Sequence, residues 1–358
     1  MHVFFRVDRS PAIGTGHWAR CQVLARALEK QGVSCYFFEN LASPQDFLQA
    51  AKKKLRSRVH SKAAAAQSQQ LPQADWVVLD GYQFGQDWEV QAREAGFRVL
   101  TIDDAPKRHY ACDLLLDPNL SKAGAGRWLL HLAPHTRLYS GAKFLLLREE
   151  FLSYPKRRIR LEAGGELTRV LVSMGGSDPP GASLQVLQAL MTPELLRLEV
   201  LVIGGAYNAR ASELKALVAK RTKLAGQMNT VYVESTTTMA SHMHEADLAI
   251  GAGGTSIWER AYMGLPSLVV SLADNQSDAA LHFQAAAAHV FLGHHHDITS
   301  QSITARLRYC CTHPKELVTM AQKAQAMVAE PSFIRDPLAY LEPGVSFSTL
   351  VPKRPKQA

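Results

Sequence analysis

Arg6-Val7-Asp8-Arg9-Ser10-Pro11-Ala12-Ile13-Gly14-Thr15-Gly16-His17, running straight into Trp18-Ala19-Arg20-Cys21-Gln22-Val23-Leu24, is the stretch that decides the fold. Before it, His2-Val3-Phe4-Phe5-Arg6-Val7 is an apolar run suited to a buried strand. After it, Leu24, Ala27 and Leu28 recur at helical spacing, and Gly32 stands where such a helix would stop. The glycines therefore occupy a strand-to-helix loop. Gly14 and Gly16 carry no side chain where backbone N–H groups and a helix N-terminus can meet an anion such as a pyrophosphate. His17 heads the helix, a titratable group beside that anion position. Glycine also serves simply to turn a chain, and a histidine at a helix start is often a surface or capping residue. Taken alone, the stretch leaves both readings open.

Outward from this unit the same alternation continues. Val33–Phe38, Trp76–Asp80, Arg98–Asp104, Asp113–Asn119 and Tyr139–Phe144 read as short apolar strands, with helical stretches over Gln45–Gln70 and Gln86–Ala95. Strands alternating with helices argue for an α/β fold with parallel sheets. Ser153–Thr168 breaks the pattern with Pro, Gly and dense charge and reads as a linker. Alternation then restarts: Arg169–Met174 runs into Gly175-Gly176-Ser177-Asp178-Pro179, and strands follow at Leu198–Ile203, Thr230–Val233, Asp247–Ile250 and Pro266–Leu272. The expected organisation is a Rossmann-like domain over 1–152, a linker over 153–168, a second Rossmann-like domain over 169–330, and a tail over 331–358 that crosses back to the first. Two such halves facing a cleft would take ligands at the carboxyl ends of their strands.

In the second half, Gly251-Ala252-Gly253-Gly254-Thr255-Ser256-Ile257-Trp258-Glu259-Arg260 puts glycines and hydroxyls at a helix start, a second anion position. Glu259 lies about one turn inside, where a carboxylate can accept hydrogen bonds from vicinal hydroxyls. Taken separately, Ser256 reads as an N-cap and Glu259 as an acid complementing the helix dipole. Together with Asp274-Asn275-Gln276 after the next strand, they resemble a nucleotide site.

Bulk properties narrow the field. At 358 residues the chain can bury two cores, and 47% hydrophobic with 20% charged residues is ordinary for a globular protein. The net charge of +8 suits anionic ligands, but much of it is local, in Lys52-Lys53-Lys54, Lys156-Arg157-Arg158 and Lys353-Arg354-Pro355-Lys356. No basic motif interleaved with aromatics points to nucleic acid. Five cysteines without a C-x-x-C pattern speak against a disulfide framework or cysteine zinc site. No leader is read before the first strand, and no apolar run reaches the ~18 residues of a membrane span, so a cytoplasmic protein and a monomer are expected. His294-His295-His296 is contiguous and reads as a solvated loop, so no metal is expected.

Arg6–Arg20 resembles the amino-terminal signature of the UDP-2,4-diacetamido-2,4,6-trideoxy-β-L-altropyranose hydrolases of pseudaminic acid biosynthesis. The likeness continues in order through Asp80-Gly81-Tyr82, Ile102-Asp103-Asp104, Cys112–Leu116, Gly141–Arg148, Gly175–Pro179 and Gly253–Gln276. Gly254–Pro266 is also similar to the nucleotide-binding half of MurG-like glycosyltransferases, whose two-domain GT-B fold the hydrolases share. The resemblance implies metal-independent hydrolysis of a UDP-activated amino sugar at its anomeric carbon, with inversion and no cofactor. It implies His17 as general base, Glu259 as the ribose-binding acid, and Gly14, Gly16 and the Ser256 turn as the pyrophosphate cradle. It further implies Tyr82 as an active-site tyrosine and Asn275 and Gln276 as reaching the sugar, with Gly176 and Gly254 in the substrate-binding turns. After Gly293 the likeness fades, and the tail from Pro331 departs from it.

The chemistry is consistent with a single base. A UDP leaving group departs easily, so one group that deprotonates water suffices where ordinary glycosidases need two carboxylates. A histidine, with a reference pKa of about 6.5, suits that task. A glycosyltransferase using His17 on an acceptor hydroxyl, and a non-catalytic nucleotide-sugar-binding protein, are the competing readings.

Overall fold

The computed structural model describes residues 1–8, 16–62, 75–119, 121, 124–154, 161, 165–226, 229–328 and 331–342. Gly14, most of the expected 153–168 linker and the end of the tail lie outside the described residues. The chain divides into two compact units, one of Met1–Leu146 with Pro331–Ala358 and one of Leu147–Glu330.

The first unit carries a six-stranded parallel sheet built from β1 (His2–Val7), β2 (Ser34–Phe38), β3 (Trp76–Asp80), β4 (Arg98–Ile102), β5 (Leu114–Asp117) and β6 (Arg137–Ser140), in the order β2-β1-β3-β4-β5-β6. β6 starts two residues before the expected strand, and Ala142–Phe144, read as its end, forms a 3₁₀ turn. Because β2 lies on one side of β1 and β3 on the other, the order reverses between β1 and β3. Ligands of open α/β sheets bind at such a switch point. The register sets Val7 opposite Asp80, so the last residues of both strands meet there.

α1 (Gly16–Lys30) buries Arg20, Cys21, Leu24, Ala25 and Leu28, a stripe of 3.6-residue period that lies on the sheet. Gly32, with φ of 82°, ends the helix in the left-handed region that favours glycine. On the α1 face the core gathers Val3, Phe5, Leu24, Leu28, Leu100, Leu114 and Tyr139. The opposite face packs Phe4, Val77, Val99 and Leu115 with Phe47 of α2 (Pro44–Lys62) and Trp88 of α3 (Gln86–Glu94).

Residues 331–342 complete the α1-side core. Two short helices, Ser332–Arg335 and Pro337–Leu341, insert Phe333, Tyr340 and Leu341 among Tyr139 and Phe144. Tyr139 and Phe144 stack at 4.9 Å, and the Tyr340 ring meets both edge-on. Gln31, just beyond α1, fastens this segment by donating to Asp336 (2.8 Å) and accepting from the Leu338 N–H (3.1 Å).

The second unit repeats the architecture with β7 (Arg169–Ser173), β8 (Glu199–Ile203), β9 (Thr230–Val233), β10 (Leu248–Ala252), β11 (Ser267–Ser271) and β12 (Val290–His294). Its parallel order is β12-β11-β10-β7-β8-β9, the doubly wound arrangement with its switch point between β7 and β10. The second unit begins earlier than the expected boundary at 152. Arg148, Glu150 and the short helix α4 (Glu149–Ser153) bond within it: Arg148 to Glu259, and Glu150 to the Ala240 N–H. His294 ends a strand, where the sequence suggested a solvated loop, because β12 pairs with β11 through Ser271↔His294, beyond a register shift between Phe291 and Gly293.

Phe333 is fully buried, so Phe333→Ala is expected to cost about 3–5 kcal/mol. Denaturant unfolding followed by tryptophan fluorescence checks it, and a loss below about 1 kcal/mol would show that the segment contributes little to this core.

Candidate functional site

At the switch point of the first sheet, three side chains converge on one carboxylate. Asp80 ends β3 with no exposed side-chain surface. Arg20 grips it through both forks, Nε to Oδ2 at 2.7 Å and Nη2 to Oδ1 at 2.6 Å. His17 Nδ1 lies 2.6 Å from Oδ1, and the Cys21 thiol donates to Oδ2 at 3.3 Å. These residues are set by the helix period: 17, 20 and 21 fall on the face of α1 that looks onto β3. Burial pushes the Asp80 carboxyl up, but the Arg20 guanidinium and then His17 outweigh it and hold the group well below the usual carboxylate range. Asp80 is therefore an acceptor. With the imidazole proton on Nδ1, donated to Oδ1, the 3.0 Å approach of Arg20 Nη2 to the same nitrogen is a contact between two donors that share Oδ1, and the Nε2 lone pair is left available. Among the described residues Nε2 has no hydrogen-bond partner.

A second carboxylate stands beside this group. Asp104 accepts from the Tyr82 hydroxyl at 2.9 Å and from the Asn119 amide at 3.2 Å, with Arg20 Nη1 3.7 Å away. Asp103 holds the turn that presents it by accepting the Asp104 and Ala105 N–H groups. Tyr82 is 49% exposed, and its ring stands edge-on to His17 at 5.0 Å. The structure thus brings His17 and Tyr82 together. Gly16 begins α1, with open space where a Cβ would be. Asp80, Arg20 and Asp104 had no assigned role in the sequence. The available signals were a carboxylate closing an apolar strand and an arginine one helical turn after His17.

In the second unit the expected residues gather at the carboxyl end of β10. Gly253 lies under Gln276: a Cβ there would stand 3.2 Å from the Gln276 Cβ. Gln276 also accepts the Leu272 N–H, so its side chain braces the turn beside Gly254. Asn275 is exposed next to it. Ser256 is the first residue of α8 (Ser256–Tyr262) rather than its N-cap; Thr255 occupies the cap, with no side-chain cap bond. The Ser256 hydroxyl instead accepts from Arg260 at 2.9 Å. Glu259, in the first turn of α8, accepts from Arg148 Nε at 2.8 Å. Its other oxygen keeps its acceptor capacity.

The turn after β7 behaves differently. The Gly176 carbonyl accepts the Tyr207 N–H at 2.8 Å, and a Cβ on Gly205 would sit within 2.6 Å of it, so two glycine turns lie back to back. Asp178 caps α5 (Ala182–Ala189) by accepting the Ala182 and Ser183 N–H groups, each at 2.9 Å. That carboxylate already occupies the helix start. Packing accounts for Gly205.

Residues 171–333 match the glycosyltransferase family 28 C-terminal domain. The chain is a relative of the UDP-sugar hydrolases and carries the GT-B fold. Over 201 residues it is 28% identical to the UDP-2,4-diacetamido-2,4,6-trideoxy-beta-L-altropyranose hydrolase of Campylobacter jejuni, covering 55% of this chain and 69% of that one. It is 28% identical over 165 residues to the spore coat polysaccharide biosynthesis protein SpsG of Bacillus subtilis (46% of each). It is 23% identical over 277 residues to an uncharacterized protein of Methanocaldococcus jannaschii (75% of this chain, 55% of that one). The chain thus spans about half the length of these last two. Among solved structures, MurG of Acinetobacter baumannii superposes with a TM-score of 0.58 at 16% identity, covering 95% of this chain and 99% of that one. HepE of Anabaena in complex with UDP superposes at 0.55 and 14%, covering 95% and 99%. Among the described residues, no helix is long and apolar enough to cross a membrane.

Replacing Asp80 by Asn leaves the buried Arg20 with only the more distant Asp104 as counter-charge, and a loss of about 3 kcal/mol is expected. Because the carboxyl titrates lower in the folded state, its contribution is complete above the unfolded value of about 3.9 and is lost as the pH falls further. Denaturant unfolding of both proteins at pH 7 and pH 3 should show the gap narrowing in acid; a constant gap would mean that Asp80 is not held ionised.

Proposed function

We propose that the protein is a UDP-sugar hydrolase that cleaves the bond between the anomeric carbon and UDP, with inversion, on a diacetamido-trideoxy-altrose or a closely related amino sugar. The observation that carries this reading is the His17–Asp80 pair at the β1/β3 switch point, with Nδ1 committed and Nε2 available. Relationship to the C. jejuni hydrolase supports the substrate class.

In the proposed reaction His17 Nε2 takes a proton from water as the water oxygen bonds to the anomeric carbon. The bond from that carbon to the diphosphate oxygen breaks, and UDP leaves with the electron pair. Asp80 stabilises the imidazolium through the Nδ1 hydrogen bond and keeps the ring turned, the orienting task that a buried carboxylate performs for a catalytic histidine. Arg20 shares the Asp80 carboxylate with His17 and fixes its position. Tyr82, with Asp104 and Asn119 behind it, contributes polar groups for the sugar. In the second unit Glu259, steadied by Arg148, accepts from the ribose hydroxyls, and the Gly253–Ser256 turn with Gly254, Asn275 and Gln276 receives the diphosphate and its sugar. Gly14, Gly16 and Gly176 are assigned to the same substrate.

The match to a glycosyltransferase domain favours one second reading, transfer of the sugar to an acceptor hydroxyl by the same base. UDP release from the altrose nucleotide in ¹⁸O-labelled water, without acceptor, separates the two. Release with label in the sugar's anomeric hydroxyl is expected. Label in UDP would place the attack at phosphorus, and release only after addition of an acceptor would make the protein a transferase. His17→Asn is expected to lower turnover by a factor of about 10² or more while UDP affinity stays within roughly threefold; turnover near that of the unaltered protein would exclude His17 as the base.

A further inference from the structure

Arg260 is 2% exposed, yet no carboxylate forms an ion pair with it among the described residues. The other deeply buried arginines are paired with a carboxylate or more fully hydrogen-bonded, although the Arg6 Nε also lacks an acceptor. Arg6 and Arg20 pair with Asp8 and Asp80. Arg221 donates to the carbonyls of Leu190, Leu195 and Leu198 and to Asn229 and Thr230. Arg260 has two acceptors, the Ala252 carbonyl (2.8 Å) and the Ser256 hydroxyl (2.9 Å), and its Nε is buried with none. Burial draws its pKa down to about 10, against the favourable charge of Glu259, so it remains a cation at neutral pH. Burying a charge without an ion-pair partner is costly. The chain nevertheless makes room for it. Gly251 sits inside β10, where a Cβ would stand 2.7 Å from Arg260 Nη1 and 2.8 Å from the Ser173 carbonyl. Any larger residue would displace the guanidinium or separate β10 from β7.

A hydroxyl that accepts from a guanidinium must turn its own proton away from it. Ser256 is half-buried beside Gly253 and Gly254, so with Arg260 behind it the hydroxyl is fixed as a donor directed away from the guanidinium. We infer that Arg260 is the positioning residue of the diphosphate site: through Ser256 it orients a hydroxyl donor toward a phosphate oxygen, and the ligand's negative charge supplies the counter-charge that the protein omits. This rests on the nucleotide reading of the second unit. It adds a residue that acts from beneath the turn without touching the ligand, and it assigns Gly251 to that residue rather than to the ligand.

The test is a double-mutant cycle on the full chain with UDP and uridine as probes, each followed by calorimetry or ligand-detected NMR. Arg260→Lys keeps the charge but cannot hold both Ser256 and Ala252; Ser256→Ala removes the donor and is tolerated at a half-buried position. A hydrogen bond to a charged group is worth a factor of about ten or more. Each single variant is therefore expected to weaken UDP about tenfold and to leave uridine within twofold. The double variant should be no weaker than the worse single one, because both act through one hydroxyl. Independent losses that multiply to about a hundredfold would overturn the coupling through Ser256. Equal losses for UDP and uridine would reduce Arg260 to a structural role, and unchanged UDP affinity would remove it from the site. If the unaltered protein binds neither probe, the nucleotide reading fails and this inference with it; UDP binding without the selective loss refutes this inference alone.

Discussion

Asp80 is the constraint on which the first unit's chemistry depends. A carboxylate without solvent contact at the end of a central strand is tolerable only when it is neutralised and hydrogen-bonded. The helix after β1 supplies what it needs in one turn: Arg20 provides charge, His17 a ring N–H and Cys21 a weak thiol donor. The strand order brings that helix to Asp80, because the reversal between β1 and β3 leaves their carboxyl ends adjacent. The residue that stabilises the fold at this point is also the one that orients the candidate base.

The second unit meets the opposite problem in the opposite way. There the buried Arg260 has no carboxylate in an ion pair with it among the described residues, at a turn of glycines and hydroxyls. Where Asp178 fills the start of α5 with its own carboxylate, no side-chain carboxylate accepts from the N–H groups of the turn after β10 among the described residues. Two glycine turns that look alike in sequence thus differ in what they offer, and side chains decide it rather than glycine content.

Much of the scaffold was legible from apolar runs alone. Trp76–Asp80 and Thr230–Val233 match the observed strands residue for residue, since short β-branched and aromatic runs bounded by polar or glycine residues have few other uses. β6 and β12 were less legible: an edge strand gains part of its definition from a neighbour, which no local pattern reveals. At the site, His17 and Glu259 could be singled out because glycine loops mark them. The roles of Asp80, Arg148 and Arg260 could not, because each depends on a contact across dozens of residues or on the depth at which a charge is buried. Ser256 had the right neighbourhood but the wrong local role, since an N-cap and a first helical residue differ by one position that only the backbone fixes.

The α1-side core of the first unit also has a consequence for synthesis. Phe333, Tyr340 and Leu341 belong to it, yet the ribosome reaches them only after it has made the whole second unit, Leu147–Glu330. At roughly 5–20 residues per second, that delay is on the order of ten to forty seconds. Throughout it, Tyr139 and Phe144 lack the rings that cover them in the finished protein. The unit translated first is thus the one completed last.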